Sequence, residues 1–166
     1  MKNENFETFS VYGFSIEYPQ VCRIEFNPKS RRESGDVVFH FPDREKLYLS
    51  WGVLEQARKR FPTVEKQAEH GVETLRKSGN PKNFERVQQD TLNINTHSAI
   101  YNHLKLAQPL PGLFSSKKTT ERHSHSCHVQ CEDSSRYFVI YSLLSPRGPE
   151  DFGELLLTMV RSFKCH

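Results

Sequence analysis

Twelve residues, RHSHSCHVQCED from Arg122 to Asp133, hold three histidines and two cysteines, and the sequence closes on SFKCH, with Cys165 and His166 last. Thiolates and neutral imidazoles are the ligands zinc prefers. A structural zinc takes four of them in a tetrahedron, with sulfur at about 2.3 Å and imidazole nitrogen at about 2.0–2.1 Å. Two cysteines can instead form a disulfide or remain free thiols. Spacing limits the choice within the twelve residues. On a strand, alternate residues share a face, so His123, His125, Cys127, Val129 and Cys131 fall together and His128 falls on the other side. At roughly 3.3 Å per residue, the Cα atoms of Cys127 and Cys131 stand about 13 Å apart. One zinc ion cannot take both thiolates on a regular strand, so the CxxxC spacing is not by itself a metal clip.

Other elements must supply the missing ligands. VYGFSIEYP, VCRIEFNP, DVVFHFP and LYLSWGVL read as strands with short links, hence antiparallel neighbours. PTVEKQAEHGVETLRKSGNP changes period. Val64, Ala68, Val72 and Leu75 make one helical face, with Thr63 as cap and Ser78-Gly79-Asn80-Pro81 as stop. EQARKRF before it reads as a helical turn or a loop. NFERVQQDTLNI and HSAIYNHLKLA form a second strand pair, PLPGLFSSKKTT a long loop, and ERHSHSCHVQC and RYFVIYSLL a third pair joined by EDSS. After SPRGPED, apolar residues at Phe152, Leu155, Leu156, Met159, Val160 and Phe163 define a last helix, with Pro149 where a first turn tolerates it. Hairpin-linked strands with separated helices predict an α+β fold with a mostly antiparallel sheet.

This order suggests a meeting point. If the last helix runs antiparallel to RYFVIY, its end returns to the EDSS turn. Cys131, Cys165 and His166 then come together, with His128, or His97 or His103 from HSAIYNH, as a fourth ligand for zinc. A Cys131–Cys165 disulfide is the competing reading, and free thiols a third. Cys22 and Cys127 read as small buried hydrophobes, and His123 and His125 as solvated surface. A Cys127–His103 nucleophile pair would need a depressed thiol pKa and an orienting third group. There is no P-loop, GxGxxG, GxSxG or HExxH.

The opening GFSIEYP, the helix after a strand-rich start, and the closing RYFVIY…FGELLLTMVRSFKC resemble the Mog1/PsbP-like fold group, which includes many small prokaryotic proteins. The resemblance spans about Ser10 to Cys165. It implies an antiparallel sheet with helices on its faces, an α/β/α sandwich, and a non-catalytic module that docks on a protein partner. It assigns no role to the cysteines and histidines.

Composition bounds the rest. At 166 residues the chain suits one domain, 1–166, with 1–9 as a flexible N-terminus. Twelve Phe and six Tyr supply a packed core rather than disorder. A net charge of +3 falls short of the concentrated basic face of a dedicated nucleic-acid binder. NPKSRR, ARKR and SSKK read as solvated turns, so nucleic-acid binding through them is a weak third expectation. No apolar run reaches the roughly 18 residues of a membrane span, and MKNENFETFS lacks a signal peptide's apolar centre. The expected location is cytoplasmic, where cysteines are more often thiols or ligands than disulfides. The expected function is a non-enzymatic protein-binding or scaffold module, with a zinc-binding protein as the alternative.

Overall fold

Nine strands and three helices are formed by the residues that the computed structural model describes, 5–78, 84–109, 119–145 and 151–166. In chain order they are β1 (Phe6–Val11), β2 (Phe14–Pro19), β3 (Arg23–Phe26), β4 (Gly35–His40), β5 (Lys46–Val53), α1 (Leu54–Arg60) and α2 (Val64–Ser78). Then follow β6 (Phe84–Ile94), β7 (His97–Pro109), β8 (Thr119–Cys131), β9 (Arg136–Leu144) and α3 (Phe152–Ser162). The middle of PLPGLFSSKKTT, most of SPRGPED with Pro149, and the helix stop at Gly79-Asn80-Pro81 lie outside the described residues.

Seven strands make one antiparallel sheet in the order β3-β4-β5-β9-β8-β7-β6, while β1 and β2 pair separately as a hairpin. VYGFSIEYP is therefore not one strand. Tyr12 and Gly13, with φ of 50° and 83°, turn the chain, the left-handed pair that a tight hairpin requires. Residues 6–9 of the expected flexible N-terminus are part of that hairpin. From Phe6 onward the chain is β1, tied down because Phe9 packs its ring against Phe14, Phe26 and Phe39.

Alternation assigns the two faces of the large sheet. Val37, Phe39, Leu49, Trp51, Cys127, Val129, Phe138 and Ile140 point to one side, where Phe14 and Ile16 of β2 and Leu156, Met159 and Val160 of α3 complete the core. On the opposite side Val64 and Ala68 of α2 cover Ile100 of β7. Thr63 Oγ1 accepts a hydrogen bond from Lys66 N at 3.3 Å and satisfies one of the free first-turn donors, as a helix cap should. EQARKR belongs to α1, whose Leu54 and Ala57 are buried and whose C-cap is Phe61. No helix among the described residues is long and apolar enough to cross a membrane.

Candidate metal centre

Three chain segments converge at one end of the sheet. β8 ends at Cys131, and residues 132–135 turn the chain into β9. Asn95 and Thr96, both at positive φ, turn β6 into β7. The chain leaving α3 arrives between these turns. It is held by the backbone bridge of Ser15 N to Lys164 O at 2.9 Å and Lys164 N to Ser15 O at 2.8 Å. Asn95 Oδ1 accepts a hydrogen bond from Cys165 N at 3.0 Å, so the β6–β7 turn fixes the tail directly.

His97, Cys131, Cys165 and His166 each place one ligand atom here, all within 4.8 Å of one another. His166 Nδ1 lies 3.5 Å from Cys131 Sγ and 3.4 Å from Cys165 Sγ. A tetrahedral zinc with the bond lengths above separates sulfur from nitrogen by about 3.6 Å. The observed edges therefore have the spacing of a coordination shell. Both cysteines are fully buried, and both are free thiols in this structure. Asp133 Oδ2 stands behind both rings, accepting from His97 Nε2 at 2.8 Å and lying 3.8 Å from His166 Nε2. A carboxylate behind a ligating histidine fixes its ring and raises its basicity.

The sulfurs are poised unequally. The Cys165 thiol beside Cys131, helped by Ser134 and His166 and opposed by burial, lowers the Cys131 thiol to about 5. Cys165 is raised, by that same contact and by burial. The contact between the two sulfurs thus favours a thiolate on Cys131, the form a metal takes. Arg136, opposite Cys131 in the β8–β9 ladder, adds a cation whose field reaches both sulfurs. It is buried over the rings of Phe14 and Phe138 at 5.5 and 5.2 Å, and donates to Tyr12 O and Arg32 O.

The expected trio of Cys131, Cys165 and His166 is thus brought together by the antiparallel return of α3. The fourth donor is His97, and His128 stands apart from the cluster. Parity is the reason. β7 and β8 pair with Ala99 opposite Val129, and continuing that register sets His97 opposite Cys131 on the α3 side. His128 points the other way, beneath α2, where a Cβ on Gly71 would lie 3.3 Å from its ring. Burial lowers His128 to about 4. The unfolded chain, with a histidine near 6.5, binds the proton first as pH falls. Stability from this group is therefore full above about 6.5 and is lost toward 4. Between pH 7 and pH 5 the loss is about 2 kcal/mol. His128→Gln is expected to flatten that part of the pH profile, measured as urea midpoints at the two pH values.

One further reading holds and another changes. Cys127 is fully buried and its thiol is raised to about 12 by burial, so it is an inert core residue rather than a nucleophile. His125 is not solvated surface. It is 5% exposed, because the start of α3 covers it at Gly153. What sequence reasoning missed is that His103, His123 and His125 are in contact with one another. HSH alternation opposite HSAIYNH was the available signal, but it needed the β7–β8 register.

The architecture is that of a Mog1/PsbP-like α+β protein with a Cys/His cluster at one end of its sheet. Solved structures bear out the fold. Cyanobacterial PsbP (CyanoP) from Synechocystis sp. PCC 6803 superposes with a TM-score of 0.66 at 12% identity, covering 98% of this chain and 94% of its own. The Saccharomyces cerevisiae Ran-binding protein Mog1p gives 0.59 at 12% identity, covering 97% and 95%. A Pseudomonas aeruginosa protein of unknown function gives 0.51 at 9% identity, covering 95% of each. No protein-family model matches the sequence, and neither does any curated protein.

Proposed function

We propose that this chain is a zinc-binding scaffold domain in which a structural ion pins the segment after α3 to two hairpin turns. The observation that carries the reading is the convergence of His97, Cys131, Cys165 and His166 within 4.8 Å. Four protein donors close the coordination shell, the arrangement of structural zinc. A catalytic zinc keeps a position open to a substrate pocket. The open depression lined by Glu65, Glu69, Gln89 and Ile100 lies on the α2 side of the sheet, away from this corner.

A non-enzymatic protein-binding role fits the same scaffold. Tyr48 and Tyr141 stack at 4.9 Å with 10° between planes. Tyr141 and Leu143 are 42% and 38% exposed, an apolar surface on the sheet side away from α3. Mog1p is a Ran-binding protein of similar fold, which supports protein docking as a use of the fold without naming a partner here. Nucleic-acid binding has less support, since Arg58 and Lys59 of the ARKR cluster are paired with Glu132 and Glu55.

Elemental analysis of the purified, tag-free chain tests the zinc reading. About one zinc per chain is expected, falling to near zero in Cys131→Ser and markedly in His97→Ala, and unchanged in Cys127→Ser. No metal with four titratable thiols would sink it and leave the tyrosine surface as the basis for function. No metal with two thiols released only by reductant would establish the Cys131–Cys165 disulfide instead.

A further inference from the structure

A second group of imidazoles lies on the α3 side of the sheet, six to eight residues along β7 and β8 from the first. β7 and β8 set His103 opposite His125, with His123 two residues further along β8. His103 Nε2 and His123 Nδ1 are 2.8 Å apart, and the His103 and His125 rings stack with centroids 4.2 Å apart and planes 16° from parallel. Two of the rings are held from behind. Glu121 Oε1 lies 3.2 Å from His123 Nε2, and Lys105 Nζ lies 2.8 Å from Glu121 Oε2. Tyr101 Oη lies 2.7 Å from His125 Nδ1.

We propose that His103 Nε2 and His123 Nδ1 are the two protein ligands of a second metal site, one that takes a divalent ion preferring tetragonal nitrogen coordination, of the nickel(II) and copper(II) class. His125 walls the site and Glu121 orients His123.

The distance selects the metal class. Two imidazole nitrogens at about 2.0–2.1 Å from one ion stand about 2.9 Å apart at a right angle and about 3.4 Å apart in a tetrahedron. The observed 2.8 Å fits the right angle, and square-planar or tetragonal nitrogen sites suit copper(II) and nickel(II). In the metal-free protein one ring N–H donates across this gap; to bind an ion beside the line between the two nitrogens, that ring carries its proton on its other nitrogen instead. Glu121 on the far nitrogen of His123 is the carboxylate that ligating histidines use to fix tautomer and ring angle. The His123 side chain is 38% exposed, which gives an ion a way in and leaves the remaining positions to water or a small donor. The site shares no ligand with the Cys/His centre and does not depend on it.

Calorimetric titration of the full zinc-loaded chain with nickel(II) chloride tests the proposal, with nuclear magnetic resonance of the histidine ring protons as a second readout. One nickel per chain is expected, with paramagnetic broadening at His103 and His123. His123→Gln and His103→Gln are each expected to weaken binding tenfold or more, with circular dichroism unchanged. Glu121→Gln weakens it about tenfold, and His166→Ala leaves it alone. Absence of nickel binding overturns the proposal. So does binding that survives His123→Gln and is lost in His166→Ala, because the ion would then be entering the Cys/His centre. Nickel binding in a chain that holds no zinc would uphold this site while defeating the zinc reading.

Discussion

Cys165→Ser is expected to lower the thermal midpoint of the zinc-loaded chain by roughly 10 °C. An ion that binds only the folded state adds about 4 kcal/mol when free zinc exceeds its Kd a thousandfold. One kcal/mol moves the midpoint of a domain this size by about 2–4 °C. A strong chelator is expected to do the same to the wild-type chain and nothing further to the variant. A Cys131–Cys165 disulfide would close a loop of 34 residues by chain position, worth about 4 kcal/mol by loop entropy. The size of the loss therefore cannot tell metal from disulfide. The reagent can, since chelator alone reproduces the metal's loss and reductant alone reproduces the disulfide's. Scanning calorimetry with each reagent separately gives the answer, and insensitivity to both would leave the thiols without a structural role.

The parts of the centre that were legible in the sequence are those fixed by local period. Alternation in SCHVQC placed Cys127, Val129 and Cys131 on one face, which the structure turns inward. The 3.6-residue period from Phe152 to Phe163 made α3, and α3 running back along β9 brought Cys165 to Cys131. His97 against His128 was a different kind of question. It turns on how β7 pairs with β8, and a shift of one residue would reverse every face. β7 ends at Pro109 and β8 begins at Thr119, so that register rests on pairings between residues far apart in sequence.

The N-terminal hairpin was hidden in plain view. Phe9 and Val11 are odd-numbered while Phe14, Ile16 and Tyr18 are even, the parity break that the turn at Tyr12-Gly13 produces. His125 was misjudged for the opposite reason. Nothing local distinguishes it from solvated His123; its cover is the start of α3, some 28 residues on. Contacts of that range are tertiary and leave no periodic trace.

Phe14→Ala is expected to cost about 3–5 kcal/mol, the range for truncating a buried phenylalanine, and to weaken zinc binding as well. Phe14 is 1% exposed and packs on the rings of Trp51, Phe138 and Phe163 at 4.9, 5.3 and 6.1 Å. It also carries one of the two aromatic faces beneath the buried Arg136 guanidinium, so truncation leaves a cavity beside a cation. Phe14→Leu, which keeps most of the volume, should cost less than half as much. The link to the metal runs through the next residue. Ser15 holds Lys164 by two backbone hydrogen bonds, and Lys164 precedes Cys165. A hairpin loosened at Phe14 loosens the segment that delivers Cys165 and His166, and zinc must then hold that segment alone. Contacting sites of this kind couple, whereas independent ones add within about 0.3–0.5 kcal/mol. Urea unfolding of Phe14→Ala, Cys165→Ser and the double variant, all with zinc present, should therefore give a double-variant loss smaller than the sum. Strict additivity would mean that hairpin and ion stabilise the tail separately, and that the Ser15–Lys164 bridge transmits nothing between them.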